Sequence, residues 1–368
     1  MKTKLVFLVL TVSLLCNCLY RDNKEESYRY QPPGQKNDGW TVSSLAAEGI
    51  DTVCIENFIE KARNRDFDWM HSVHIVRNGK LVLEAFIYKS FINQLHDIQS
   101  CTKSFTSTLV DIAIDKGMIP SVDVPLFDFF PDYLHLCNAG KEKITLSHTL
   151  TMSMGLDWNE WEVSYLDPRN DEYITRYCGD FLNHLLGKPL LHDPGTFWYY
   201  NSGCSMALGA VIYRVSGLQA DQFADKYLFK PLGIVDYEWR YIDEGYPLTG
   251  GGLEMHQRDM AKLGQLYLDK GVWQGKRILS QHWVEQAAQN RIDSHHSGWQ
   301  TGYGYQWWTY TFSVQGSPVD TFFASGAGGQ FIFVMPSLNL VVVLTQGQYF
   351  TGTKTTEIME DHILPAVH

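Results

Sequence analysis

A serine hydroxyl and a lysine amine stand three residues apart in Ser100-Cys101-Thr102-Lys103, the one Ser-x-x-Lys in the 368 residues. On a helix that spacing puts both side chains on one face, with Cβ atoms about 5–6 Å apart. The amine can then take the hydroxyl proton, or hold the group that does. A serine hydroxyl is a weak nucleophile until such an acceptor lies beside it. The chemistry this suggests is acyl transfer through a covalent ester on Ser100. Chance alone supplies about one such tetrapeptide in a chain of this length, and an N-cap serine followed by a surface lysine reads the same way. The assignment therefore needs support downstream.

Two further stretches supply it. Pro194 to Gly203 is a turn-rich loop that leads into a helix and holds the one Tyr-x-Asn, Tyr199-Tyr200-Asn201. A tyrosine phenolate serves as a base if its reference pKa of about 10 is lowered, and an ammonium such as Lys103 would lower it. Asn201 could hydrogen-bond a substrate carbonyl or amide; the plainer reading is an aromatic core plug followed by a turn former. The second stretch, Ser325-Gly326-Ala327-Gly328-Gly329-Gln330, precedes the apolar run Phe331 to Met335. Glycines there let backbone approach a ligand, Gly326 and Gly328 as contact positions. The Gly329 N–H would form an oxyanion hole with the N–H of Ser100. Taken alone, this stretch is a tight turn.

The elements that must position these groups follow from periodicity and turn residues. Ser72 to Val76 and Leu81 to Tyr88 are strand-like and flank Asn78-Gly79, a strong hairpin signal. The helix after Ser100 carries Phe105, Leu109, Ile112 and Ala113 on one face and stops at Gly117. Ser202 caps a helix running to Gly217, and Arg258 to Lys270 forms another before Gly271. From Tyr303 the pattern turns to strands: Tyr305 to Thr311, Thr321 to Ala324, Phe331 to Met335 and Leu340 to Thr345. A short helix from about Thr355 to Ile363 closes the chain. Strands at both ends and helices between predict an α+β fold. The expectation is an antiparallel sheet flanked by helices, with a mainly helical lobe and an active site in the cleft between.

The three motifs, in this order, resemble those of the serine β-lactamase and penicillin-recognising superfamily, and more closely its class C-like branch with esterases and 6-aminohexanoate-oligomer hydrolases. The resemblance spans about Ser72 to Thr345. It extends to Ile144–Trp158, to Gly250-Gly251-Gly252-Leu253 through Arg258-Asp259, and to Tyr303-Gly304-Tyr305-Gln306-Trp307-Trp308. It implies Ser100 as acylated nucleophile, Lys103 and Tyr199 as the base system, Asn201 as a substrate contact, and no metal or cofactor. Where the lactamases carry Lys-Thr-Gly, or His in the first place, this chain has Gly326-Ala327-Gly328, without a cation to hold a substrate carboxylate. A small ester or amide is thus the expected substrate. A penicillin-binding peptidase or lactamase acting on peptidoglycan fragments or penicillins, and a non-catalytic penicillin-recognising sensor, are the alternatives.

Composition sets the limits. A formal charge of −11 argues against nucleic-acid partners. Lys2, Lys4 and the apolar run Leu5 to Leu15 form an export signal, too short for a comfortable span. Leu15-Cys16-Asn17-Cys18 resembles a loose lipoprotein box, with Cys18 or Cys16 as the lipidated residue. The expected product is a periplasmic or outer-membrane lipoprotein of a bacterium, touching membrane only through its lipid anchor. The expected plan is a signal over residues 1–18, a flexible linker over 19–40 and one hydrolase domain over 41–368. Its sheet lobe takes about 41–98 and 300–368, and its helical lobe about 100–295. Cys54, Cys101, Cys137, Cys178 and Cys204 are widely spaced and suggest neither a zinc site nor a disulfide framework, although one or two bridges would suit an exported chain. No His-Glu-x-x-His occurs, and His71, His74, His295 and His296 read as strand and loop residues.

Overall fold

The computed structural model describes residues 27–67, 69–88, 91–294, 301–349 and 352–368. The export signal, Cys16, Cys18, His295 and His296 lie outside them. Residues 1–30 and 31–368 are separate units, and the second carries everything below.

Its backbone is a sheet of nine strands among the described residues: β1 (Thr41–Val42), β2 (Met70–Arg77), β3 (Lys80–Phe86), β4 (Ile292–Ser294), β5 (Thr301–Tyr303), β6 (Trp308–Val314), β7 (Ser317–Gly326), β8 (Gln330–Met335) and β9 (Leu340–Gln346). Their spatial order is β1-β3-β2-β9-β8-β7-β6-β5-β4. All pairs are antiparallel apart from β1 with β3. The two chain ends thus meet at β2 and β9, with Val342 opposite Ile75. The β2–β3 hairpin turns at Asn78 and Gly79, whose φ of 52° and 74° are the left-handed values its tight turn requires. Every residue of β8 and β9 is buried, which is why both strands read as unbroken apolar runs.

Four longer helices matter for the site: α1 (Thr52–Arg63), α2 (Thr102–Asp115), α3 (Ser202–Ser216) and α4 (Gln257–Leu268). Helix α4 falls inside the stretch expected to form the helical lobe, yet it packs on β2, β8 and β9. A Cβ at Gly264 would come within 2.6 Å of Val341, so the missing side chain permits this approach. Helix α2 is no surface helix with one apolar face: Thr102 through Ala113 are all buried. Its polar face is satisfied by protein instead of water. Ser104 Oγ donates to the Gln306 carbonyl and Ser107 Oγ to the Tyr305 carbonyl, both at 2.7 Å. Thr106 Oγ1 donates to the Thr249 carbonyl at 2.9 Å. Buried hydroxyls bonded in this way cost little and fix the helix in one rotation.

Three sequence expectations change. The segment through residue 40 was expected to be a tether, but from Gln31 it belongs to the domain. Trp40 is buried and donates through Nε1 to the Arg258 carbonyl at 3.1 Å. The Arg258 guanidinium reaches Asp38 at 2.6 Å and Glu84 at 3.0 Å, pinning this segment to β3 and α4. The N-cap of α3 is Asn201, whose Oδ1 accepts from Cys204 N at 3.1 Å, and Ser202 is the first helical residue. Cys54, Cys101, Cys137, Cys178 and Cys204 are free thiols, so neither bridge allowed for forms.

Beside the Arg258 cluster, His74 on β2 is buried, and neither ring nitrogen hydrogen-bonds among the described residues. Burial, then the charges of Arg258 and Lys36, lower its pKa to about 3. A folded-state pKa below the unfolded one means the unfolded chain binds more protons between about pH 6.5 and 3. This contribution is complete above pH 6.5 and is lost as pH falls toward 3. At 1.36 kcal/mol per unit it amounts to about 3–5 kcal/mol. Denaturant titrations at pH 7.5 and 4.5 should show a His74→Leu variant losing distinctly less stability than the parent; equal losses would exclude His74 as a source of acid sensitivity.

Candidate active site

Ser100 lies in a short 3₁₀ turn, Gln99–Cys101, that runs directly into α2. The backbone bends sharply before it. Gln99 has φ +50°, a left-handed conformation costly for a residue with a side chain. Asp97 holds that bend, accepting from Gln99 N at 2.9 Å and Gln99 Nε2 at 2.7 Å. Arg240 braces Asp97 in turn at 2.7 Å. As a first-turn residue, Ser100 presents an N–H with no acceptor inside its own helix.

One helical turn on, Lys103 is 2% exposed and its Nζ lies 3.0 Å from Ser100 Oγ. Nζ also donates to the Gly250 carbonyl. The Ser-x-x-Lys expectation thus becomes a direct hydrogen bond. Cys101 faces away, its thiol on the Gln330 carbonyl at 3.3 Å.

The Tyr-x-Asn motif does not converge on Ser100 as expected. Tyr199 turns its hydroxyl to Glu162 Oε1 at 3.3 Å. With Asn201 it lines a separate cavity of about 330 Å³ among Met152, Met154 and Leu191. The side chain of Asn201 is occupied in capping α3. Tyr200 takes the place expected of Tyr199. It lines the same cavity as Ser100, and Lys103 Nζ lies 4.9 Å from its ring centroid. Burial raises the pKa of its hydroxyl; Lys103 pulls it down, Glu160 pushes it up, and hydrogen bonds to Ser100 and Lys103 pull it down again. The two adjacent tyrosines line different cavities, Tyr199 with Asn201 and Tyr200 with Ser100, so only Tyr200 faces Lys103. The tandem itself was the available signal, since it offered two candidates and nothing to choose between them.

The glycine stretch also differs in detail. Gly326 ends β7 against the turn of Ser100, where a Cβ would lie 2.4 Å from the Ile98 carbonyl oxygen. A larger residue would push the strand off Ser100. The Gly329 N–H is not free for an oxyanion: it donates to the Gly326 carbonyl at 3.2 Å within the β7–β8 turn. Gly328 borders the cavity, and so does Ala327, whose N–H makes no protein hydrogen bond among the described residues.

The cavity at Ser100 measures about 450 Å³, and no charged side chain is among its described lining residues. Its walls are Trp161, Tyr165, Tyr200, Trp308, Phe323 and Phe331. Trp161 stacks on Tyr200 with centroids 4.7 Å apart and planes 16° apart. Trp308 lines it beside Trp161. Trp307 is fully buried against Tyr267, and Trp158 borders the Tyr199 cavity. No group of three metal-ligating side chains occurs among the described residues.

Comparison with known proteins places this geometry in context. The chain is 28% identical over 295 residues to 6-aminohexanoate-dimer hydrolase of Paenarthrobacter ureafaciens, covering 73% of this chain and 70% of that protein. It is 28% identical over 206 residues to lovastatin esterase of Penicillium rubens, 48% of each chain. The fold matches the octameric penicillin-binding protein homologue of Pyrococcus abyssi with a TM-score of 0.64 at 19% identity, over 84% of this chain and 76% of the other. The sequence model of the Beta-lactamase family matches residues 71–362, from the first residues of β2 to the closing helical turns, and the chain is a member of that family.

Proposed function

We propose that the protein hydrolyses small, uncharged esters or amides through an acyl-enzyme on Ser100. The observation that carries this reading is the 3.0 Å bond between Lys103 Nζ and Ser100 Oγ, set in an aromatic cavity without a charged lining residue. Relatives named as a hydrolase and an esterase support the reaction class.

In the proposed sequence Ser100 Oγ attacks the substrate carbonyl carbon while its proton passes to Lys103 in the amine form. The backbone N–H groups of Ser100 and Ala327 receive the developing oxyanion; such a donor is worth about 2.7–4 kcal/mol. Collapse breaks the bond to the leaving alcohol or amine, which takes its proton from Lys103 through the Tyr200 hydroxyl. A burial-raised pKa keeps that hydroxyl a neutral relay at rest. Water then attacks the ester carbonyl, gives its proton to Lys103 and releases the acid, and Ser100 recovers its proton. With no cation beside Gly326-Ala327-Gly328 to hold a carboxylate, penicillins and carboxylate-ended peptides are poor substrates. We place the enzyme outside the cytoplasm, carried by the Leu5–Leu15 signal and anchored at Cys18 or Cys16.

Ser100→Ala should lose all labelling by a fluorophosphonate in intact-mass spectrometry, and labelling that persists would sink the assignment. With ethyl acetate, whose alkoxide leaving group needs the relayed proton, Tyr200→Phe should lower kcat by about 100-fold or more, while Tyr199→Phe stays within about threefold. The reverse ranking would restore Tyr199 to the site.

The aromatic wall yields a separate expectation. Trp161→Ala should reduce kcat/KM for p-nitrophenyl phenylacetate by about tenfold and leave p-nitrophenyl acetate within about threefold, because an aromatic pair is worth about 0.5–1.5 kcal/mol beyond its area burial. An equal fall for both esters would mean that Trp161 does not contact the acyl group.

A further inference from the structure

The catalytic reading leaves one buried acid unexplained. Glu160 lies on the loop between Leu156 and the helix Asp171–Tyr177, and it is 0% exposed. Both carboxylate oxygens are engaged. Oε2 accepts from Trp158 Nε1 at 2.8 Å and from Ser202 N at 2.7 Å. Oε1 accepts from Ser202 Oγ at 2.6 Å and from the Tyr165 hydroxyl at 3.1 Å. Burying a carboxylate this completely is costly unless its partners are held in place. An apolar residue could have closed the loop at less cost.

The partners of Glu160 lead to the catalytic groups. Ser202 follows the Tyr200-Asn201 pair and opens α3. It packs on Gly250, where a Cβ would lie 3.3 Å from Ser202 Cβ. The Gly250 carbonyl is the one that receives Lys103 Nζ. Glu160 is also chained to the cavity wall, because Trp161 follows it directly and Tyr165 bonds to it. Asn170 Nδ2 ties the base of the loop to the Glu160 carbonyl at 2.8 Å.

We propose that Glu160 is a positioning residue for the Ser100–Lys103–Tyr200 system. Its carboxylate fixes Ser202, and through it the Gly250 carbonyl that receives Lys103, and its negative charge sets the pH range in which the system works. The proposal rests on the catalytic reading above. The ionisable groups around Tyr200 and Glu160 are Lys103 from α2, Tyr165 from the loop, Cys204 from α3 and Tyr303 from β5. Burial pushes the pKa of Tyr165, Cys204 and Tyr303 upward, so they stay neutral in the working range. Glu172, farther along the loop, is paired with Arg176 at 2.9 Å. Glu160 therefore opposes loss of the Tyr200 proton, and Lys103 favours it in those steps where it carries the proton.

Glu160→Gln keeps the shape and removes the charge. It should lower kcat for p-nitrophenyl acetate by about tenfold with KM within about threefold. Both limbs of the pH profile of kcat/KM should move down by about half a unit or more, because losing a nearby negative charge lets each proton of the Lys103–Tyr200 pair leave more readily. Limbs that stay in place overturn the proposal even if kcat falls, since a merely structural loss does not move them. Should the Gln variant fail to fold, Ser202→Ala decides: kcat should fall by about fivefold with the limbs unmoved, and an unchanged kcat overturns the link. Fluorophosphonate labelling of the parent separates the two levels. An unlabelled parent defeats the catalytic reading, whereas a parent labelled once on Ser100 with an unmoved Gln profile defeats the role of Glu160 alone.

Discussion

Everything around the site depends on keeping the Lys103 amine out of water and in reach of Ser100. At 2% exposure this group has lost its hydration and must be satisfied by protein. Ser100 Oγ supplies one partner and the Gly250 carbonyl another. That carbonyl is held in turn. Its neighbour Thr249 donates through Oγ1 to the Ser205 carbonyl of α3 at 2.8 Å, and the Thr249 carbonyl receives Thr106 Oγ1 of α2 at 2.9 Å. The two central helices and the glycine turn are therefore stitched at the depth where the lysine ends. This accounts for a polar face on α2 that solvent never reaches: its hydroxyls position the lysine acceptor and the Tyr305–Gln306 backbone.

The second constraint is the closeness of backbone to backbone. Left-handed Gln99, at a cost of about 1–3 kcal/mol, turns the chain so that Ser100 opens a helix while Ile98 runs against β7. The approach works because Gly326 has no side chain, and it is stabilised by the Asp97 and Arg240 bracing. Strain before Ser100 and a missing side chain across from it are one device. Together they bring Ser100 and Ala327 to the same cavity.

Local signals carried much of this into the sequence. Asn78-Gly79 marked the hairpin, the apolar runs near the C-terminus marked the strands, and Ser-x-x-Lys marked the bonded pair, because each depends on chemistry within a few residues. What failed depended on long-range facing. Tyr199 and Tyr200 differ in which cavity each lines, and Lys103, which decides the matter, is almost a hundred residues away. Asn201 and Ser202 are both good N-caps, and the choice between them was made by Glu160, which takes the Ser202 N–H and hydroxyl and leaves Asn201 to cap α3. Gly329 read as an oxyanion donor because the tightness of the turn, which uses that N–H internally, is a property of the β7–β8 pairing. Trp40 and Asp38 looked like linker because their partner, Arg258, lies on α4.

The alternation at Tyr199, Tyr200 and Asn201 also divides the space around the site. On the Tyr199 side, the cavity has methionine walls and the carboxylates Asp157 and Glu162 among its lining residues. On the Tyr200 side, the cavity is aromatic and its described lining residues carry no charge. The loop through Glu160 borders both, placing Trp161 against Tyr200 and Glu162 under the Tyr199 hydroxyl. A carboxylate-bearing substrate placed against the Gly326–Gly329 turn would lose hydration and find no cation among the described lining residues in exchange, a cost of several kcal/mol that aromatic contact does not return. A neutral acyl group pays no such penalty and gains the ring surfaces. On the proposed reaction, selection against charge would come from what the Gly326–Gly329 turn lacks, and selection for apolar acyl groups from the rings facing it.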